Sequence, residues 1–252
     1  AELTARARER GQERLDEVLA RVAEGGDTRE LTDLLATTLA ETEAAWRQGA
    51  VDTTAGRANT LRAARELATL AYWTDTEHAL VASRKVMELA ADDLWAAIEV
   101  GRLEQRKGDL SAAEAAYSEA AARAEQARDS YQIGIAAEGL GNVRIEQGRL
   151  SDALQSYERR HAAIEALAAR DENRHELQRD LAVSHNRVGD VRVAQGDYGR
   201  ALQAFERGLA IVEYLAAYDP SNSEWQRDLS ISYNKIGDLR TARGDLAGAL
   251  SA

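Results

Sequence analysis

Apolar residues recur along this chain at the spacings of an amphipathic helix. Leu181, Val188 and Val191 form one stripe, and Ala201, Leu202, Phe205, Leu209 and Val212 form the next. The spacing predicts one helix from Arg174 to Gln195 and a second from Tyr198 to Ala217. Gly196 breaks the run between them, and Asp197 is placed to cap the second helix. The same two-helix pattern returns. EWQRDLSISYNKIGD, from Glu224 to Asp238, copies ELQRDLAVSHNRVGD, from Glu176 to Asp190, at an offset of 48 residues. The segments GNVRIEQGRLSDALQSY, GDVRVAQGDYGRALQAF and GDLRTARGDLAGALSA place glycines at Gly141, Gly189 and Gly237, then at Gly148, Gly196 and Gly244. Upstream, GRLEQRKGDLSAAEAAY sets Gly101 and Gly108 forty residues before the next pair. In YWTDTEHALVAS, Thr74 and Ala79 stand in the corresponding positions of a fifth unit.

Gly189 falls inside a predicted helix, where glycine costs about 1 kcal/mol against alanine. Its return at the same position in four units predicts a close approach of another helix, with Ala113, Ala153 and Ala201 as the matching small residues. Residues 1–50 read as two further amphipathic helices, split at Glu24-Gly25-Gly26-Asp27, with Thr28 as the expected cap.

An interior glycine, a Gly-Asp seven residues on, then an alanine and an aromatic four apart resemble the tetratricopeptide repeat. The resemblance covers roughly Ala55 to the C-terminus. It implies an all-α, right-handed α-solenoid of antiparallel helix hairpins. The units fall at about 53–90, 92–128, 130–170, 173–218 and an incomplete 222–252, behind an N-terminal pair at 1–50. The usual repeat has about 34 residues. The longer spacing here is met by about seven extra residues in each helix, close to two turns, which keeps both apolar faces in register. Long-helix units of this kind resemble those of kinesin light chain and of bacterial multidomain signalling proteins. Two positions depart from the pattern: Arg160 stands where a small residue is usual, and His185 where an aromatic is usual.

Composition narrows the function. No cysteine means no disulfide framework, cysteine-ligated zinc or cysteine nucleophile, and fits a reducing, cytoplasmic setting. Thirty-two basic against 43 acidic side chains leave a net charge of −11, which disfavours nucleic acid. No apolar run reaches membrane-spanning length, so no membrane partner is expected. The chain lacks an initiator methionine, and the last unit ends at DLAGALSA, short of its aromatic anchor. The first points to processing or to a piece of a longer protein. The second points to such a piece or to an open end that pairs with another molecule, self-association included.

Candidate chemistry is sparse. The four histidines form no HExxH pair, and His185 aligns with Tyr233, which favours packing. The acidic stretch from Asp171 to Glu176 aligns with the turn at Asp219-Pro220-Ser221-Asn222, so a solvated turn is expected rather than a metal site. Gly139-Leu140-Gly141 begins like a dinucleotide fingerprint, but Arg144 replaces the third glycine and no strand precedes it. No catalytic residue, metal or cofactor is expected. Arg144, Arg192 and Arg240 recur three residues past the interior glycine, on the packed side, with their heads expected on acids of adjacent helices.

What remains is the face of the first helices, which the resemblance places on the concave side. It puts groove positions three before and one after the interior glycine: Glu138 and Asn142, Asn186 and Asp190, Asn234 and Asp238. Each pair is four residues apart and so shares a helix face. Asparagine amides can hold the main chain of an extended peptide without reading its sequence, and the aspartates would favour basic side chains or an amino terminus. Upstream, Trp95 and Ile98 with Leu61 suggest an apolar section for an anchoring side chain. The expected function is non-catalytic binding of a protein or peptide. A structural spacer and a ligand-controlled sensor are the alternatives.

Overall fold

The structure, a computed structural model, describes residues 15–25, 27–49, 53–171, 174–242 and 244. Among these residues the only regular element is the α-helix. Helix α1 is seen at 15–24, followed by α2 (Thr28–Arg47), α3 (Thr53–Ala71), α4 (Thr76–Leu89), α5 (Leu94–Lys107) and α6 (Leu110–Ala127). Then come α7 (Ser130–Glu146), α8 (Leu150–Ala168), α9 (His175–Ala194), α10 (Tyr198–Tyr218) and α11 (Ser223–Ala242). The helices expected at Arg174–Gln195 and Tyr198–Ala217 match α9 and α10 to within one residue at each end. The proposed open end beyond Gly244 lies outside the described residues.

Short-range chemistry sets the boundaries. Gly108, Gly148 and Gly196 close their helices at φ of +88°, +75° and +77°, a region that admits glycine without strain. Aspartates open the helices that follow turns: the side chains of Asp75, Asp129 and Asp197 accept from the backbone N–H of His78, Gln132 and Arg200. Such a cap contributes about 1 kcal/mol. At α2 the cap is Asp27, whose carboxylate accepts from Arg29 and Glu30, and Thr28 is the first helical residue. The sequence expectation is therefore off by one. The Thr28 carbonyl instead accepts from the Thr32 hydroxyl.

The chain forms two compact units, Ala1–Glu119 and Ala120–Ala252, divided within α6. In the first, one apolar cluster collects Leu15 from α1, Leu35 and Leu39 from α2, Leu67 from α3, Leu80 and Val86 from α4 and Leu103 from α5. In the second, the clusters repeat. Ala153 and Tyr157 of α8 meet Val191 of α9, and Ala201 and Phe205 of α10 meet Ile236 and Leu239 of α11.

The interior glycines explain this geometry. A Cβ on Gly189 would stand 2.3 Å from the Phe205 ring. On Gly141 it would stand 2.7 Å from Tyr157, and on Gly101 2.8 Å from Tyr117. Each second helix thus lays its aromatic ring in the gap left by the glycine of its own first helix. The close approach is by a ring rather than by a second backbone. Ala113, Ala153 and Ala201, all 0% exposed, keep the helices close enough for it.

Candidate binding groove

In the second unit, ion pairs join successive first helices side by side. Arg179 of α9 reaches Asp228 of α11 with Nε–Oδ2 at 2.5 Å, and Lys235 Nζ of α11 reaches Asp190 Oδ1 of α9 at 2.5 Å. The bond to Asp228 raises the Arg179 guanidinium above its ordinary value, with burial opposing. Between α7 and α9, Arg187 Nε lies 3.7 Å from Glu138 Oε1. The face predicted to carry the groove residues is therefore a strip of first helices stitched by alternating charge.

The predicted residues are not equally available on it. Glu138 is held from two sides, by Arg187 and by Arg160 Nε at 3.1 Å. Arg160, at the position where a small residue is usual, is 6% exposed and also donates to the Asp180 carbonyl. Burial pushes the neighbouring Asp180 carboxyl above its ordinary range, with Arg160 pulling the other way. Asn142 accepts from the Tyr157 hydroxyl at 2.6 Å, which commits its oxygen and leaves its amide N–H groups. Asn186 points its Oδ1 toward α10, 3.1 Å from where a Cβ on Gly208 would be, and that buried oxygen has no hydrogen-bond partner. Asp190 is neutralised by Lys235, whose ammonium also sits 5.5 Å over the Phe205 ring. Asn234 and Asp238 are exposed, and neither makes a hydrogen bond or ion pair among the described residues.

Upstream the two predicted residues part company. Trp95 is 42% exposed, whereas Ile98 is 1% exposed and belongs to the core. Ile98 leaves the candidate set because no surface of it remains to touch a ligand. In its place α5 offers Glu99 and Arg102. With Thr69, Tyr72 and Trp73 at the end of α3 they line an open cavity of about 490 Å³.

Of the recurrent arginines, Arg192 meets an acid of an adjacent helix as expected, whereas Arg144 turns to a hydroxyl and to the Asp152 carbonyl of α8. Arg144 donates to Ser156 Oγ at 2.7 Å, and Arg192 pairs with Glu158 of α8 at 3.0 Å. The histidine at the aromatic position also packs: the His185 ring lies 4.4 Å from that of His161. Burial, and then the His161 and Arg207 charges, lower the His185 imidazole to about 4. Among the described residues no three His, Asp or Glu side chains are grouped to hold a metal. No described helix is long and apolar enough to cross a membrane.

Sequence reasoning missed the basic half of the strip. Its signal is present: Arg187 and Lys235 follow Asn186 and Asn234 directly, in the same position of two copies. Arg160 stands out as an exception to the repeat pattern, but nothing near it in sequence marks Glu138 as its partner.

No protein-family model and no curated protein matches the chain. Solved structures do. BtubC from P. vanneervenii superposes with a TM-score of 0.64 at 17% identity, over 90% of this chain and 88% of that one. The kinesin light chain TPR-like repeats of Podosopora anserina give 0.57 at 18% identity, over 76% and 90%. A MamA protein gives 0.55 at 16% identity, over 77% and 88%. Taken with the glycine-and-ring joints, these likenesses show that the chain has the tetratricopeptide-like fold, an all-α array of helical hairpins of the α-solenoid class.

Proposed function

We propose that this protein is a non-catalytic interaction module that holds an extended segment of a partner protein along the first-helix face of its second unit. The observation that carries the reading is the pair Asn234 and Asp238, four residues apart on α11, exposed and without polar partners among the described residues. They repeat, in register, the positions of Asn186 and Asp190 and of Glu138 and Asn142. A core needs no polar side chains at these positions. An extended main chain, with one donor and one acceptor per residue, does.

The charge pairing refines the expected partner. Glu138 and Asp190 already have cations of their own, so a strongly basic segment would gain little from them. Main-chain amides, met by the free Asn142 N–H groups, by Asn234 and by Asp238, are the better match. The test is selection from a random-peptide library against the intact chain. Affinities of the recovered peptides are then measured for wild type and for Asn234→Ala with Asp238→Ala. Groove binding gives a loss of about tenfold or more. Peptides that bind both proteins equally would place recognition elsewhere.

A further inference from the structure

The cavity between α3 and α5 lies wholly in the first unit and does not depend on the groove reading of the second. We propose that it binds a small zwitterion carrying a large apolar or aromatic side chain, the chemistry of a free α-amino acid. Glu99 would take the ammonium, Arg102 the carboxylate, and Tyr72 with Trp73 the side chain.

Three features lead there. The first is a pair of opposite charges left open. Glu99 and Arg102 stand three residues apart on α5, which puts them on one helix face, and both line the cavity. Neither makes a hydrogen bond or ion pair among the described residues, not even with the other. The carboxylate that could add to the site, Asp93, is occupied by Arg65 at 2.9 Å. Burial is the main reason the Glu99 carboxyl is pushed above its ordinary range, with Asp93 adding and Arg102 opposing. Arg102 acts on this half-buried carboxylate only from a distance, with no ion pair formed between them.

The second feature is the donor and acceptor pattern. Thr69 spends its hydroxyl proton on the Arg65 carbonyl at 2.9 Å, so it can only accept from a ligand. Thr69 and Glu99 together are acceptors suited to an ammonium with three protons, and Arg102 is a planar donor suited to a carboxylate. A simple cation would meet Arg102 and a simple anion would meet Glu99. A ligand bearing both charges a few ångströms apart satisfies each.

The third is the wall. Tyr72 and Trp73 meet edge to face with ring centroids at 4.8 Å. The Arg106 guanidinium lies over both, at 4.8 Å and 5.7 Å, and steadies them. Trp73 is nevertheless 82% exposed, an apolar surface that an aromatic or aliphatic side chain would cover. A cavity of about 490 Å³ falls within the usual size of small-ligand sites.

The experiment is a titration of the intact chain with the standard L-amino acids, read by calorimetry and by the Trp73 indole N–H resonance, assigned with Trp73→Phe. Saturable binding is expected to be strongest for those with large apolar side chains. With L-phenylalanine as the probe, N-acetyl-L-phenylalanine and L-phenylalaninamide should each bind about tenfold more weakly or worse. Glu99→Gln should weaken L-phenylalanine but not the N-acetyl form. Arg102→Gln should weaken L-phenylalanine but not the amide. This crossed selectivity is something a merely structural role for either residue would not produce, and helicity by circular dichroism checks that both variants fold. No saturation by any amino acid up to about 10 mM would overturn the proposal. So would an amide that binds as tightly as the zwitterion, which would make the site one for cations alone.

Discussion

The step from α7 through α8 to α9 and the step from α9 through α10 to α11 are copies, offset by 48 residues, that fill the same positions differently. Where the first has Arg160 buried on α8, the second has Gly208 on α10. Where the first has Glu138 facing that arginine, the second has Asn186 facing bare backbone. A Cβ on Gly208 would stand 3.1 Å from the Ala182 carbonyl oxygen and 3.1 Å from Asn186 Oδ1. Where the first stacks His161 on His185, the matching positions hold Leu209 and Tyr233. Positions that touch change together: a large cation brings a carboxylate, and a glycine brings an uncharged amide. The ring-on-glycine joint is present in both steps, Gly141 with Tyr157 and Gly189 with Phe205. Repeat geometry is thus carried by the joint, while the polar face is free to vary by matched pairs.

The strongest way to break the comparison is to remove one member of the charged pair. Glu138→Ala leaves Arg160 with only the Asp180 carbonyl and takes from Arg187 the carboxylate beside it. It should destabilise the protein by about 2–3 kcal/mol in urea denaturation. Asn186→Ala, at the equivalent position, removes a buried oxygen that has no partner and should cost less than about 1 kcal/mol. Importing the second solution whole, as Glu138→Asn with Arg160→Gly, should recover at least about 1 kcal/mol relative to the sum of the single changes. Simple additivity would mean the two positions are not a matched pair.

Next in size is the joint. Gly189→Ala gains about 1 kcal/mol of helix propensity yet drives a methyl into the Phe205 ring, which is 2% exposed and has nowhere to go. A net loss of about 2 kcal/mol is expected, with Gly141→Ala losing less because its ring contact is longer.

Smaller still is the histidine pair. His185 has an ordinary value of 6.5 and is held at about 4 in the folded protein. The His161 imidazole is also lowered, mainly by burial, with Glu165 opposing and Arg207 and Arg160 adding. His161 hydrogen-bonds Ser184. The unfolded chain therefore binds more protons than the folded one between pH 6.5 and 4. Stability falls as pH drops through that window and levels off below it. His161→Leu with His185→Tyr, the residues of the second step, should remove that part of the slope in denaturation curves taken at about pH 7 and about pH 5. An unchanged slope would assign it to other groups.

The two steps also show what a sequence can disclose. The joints are readable because glycine and ring keep one spacing from copy to copy, as in Gly141 with Tyr157 and Gly189 with Phe205. Helix ends are readable because they depend on neighbours within about seven residues, a turn glycine or a capping aspartate. Even there the sequence points to Thr28 as readily as to Asp27, since both are good caps and only backbone geometry separates them. The polar face is half readable. Its asparagines and acids repeat visibly, but whether each is free depends on residues far along the chain, such as Arg160 for Glu138, Lys235 for Asp190 and Asp228 for Arg179. Ile98 departs from expectation for the same reason: its position on α5 suggests the groove, and packing from other helices buries it. The cavity beside Trp73 joins the end of one helix to the middle of another, a proximity that no single period encodes.

The smallest expected effect on stability falls at the residues central to function. Asn234→Ala changes an exposed side chain and should alter stability by less than about 0.5 kcal/mol. It can therefore be used to read binding alone.

The most direct measurement is an NMR titration of the side-chain amide resonances of Asn142, Asn186 and Asn234 with a peptide recovered by selection. If partners lie along the first helices, the Asn142 and Asn234 amides shift and saturate together with the peptide, and Asn186, whose oxygen faces α10, moves less. If those amides stay still while exposed residues of α10, such as Tyr214 and Tyr218, shift instead, the first-helix face is not the binding surface.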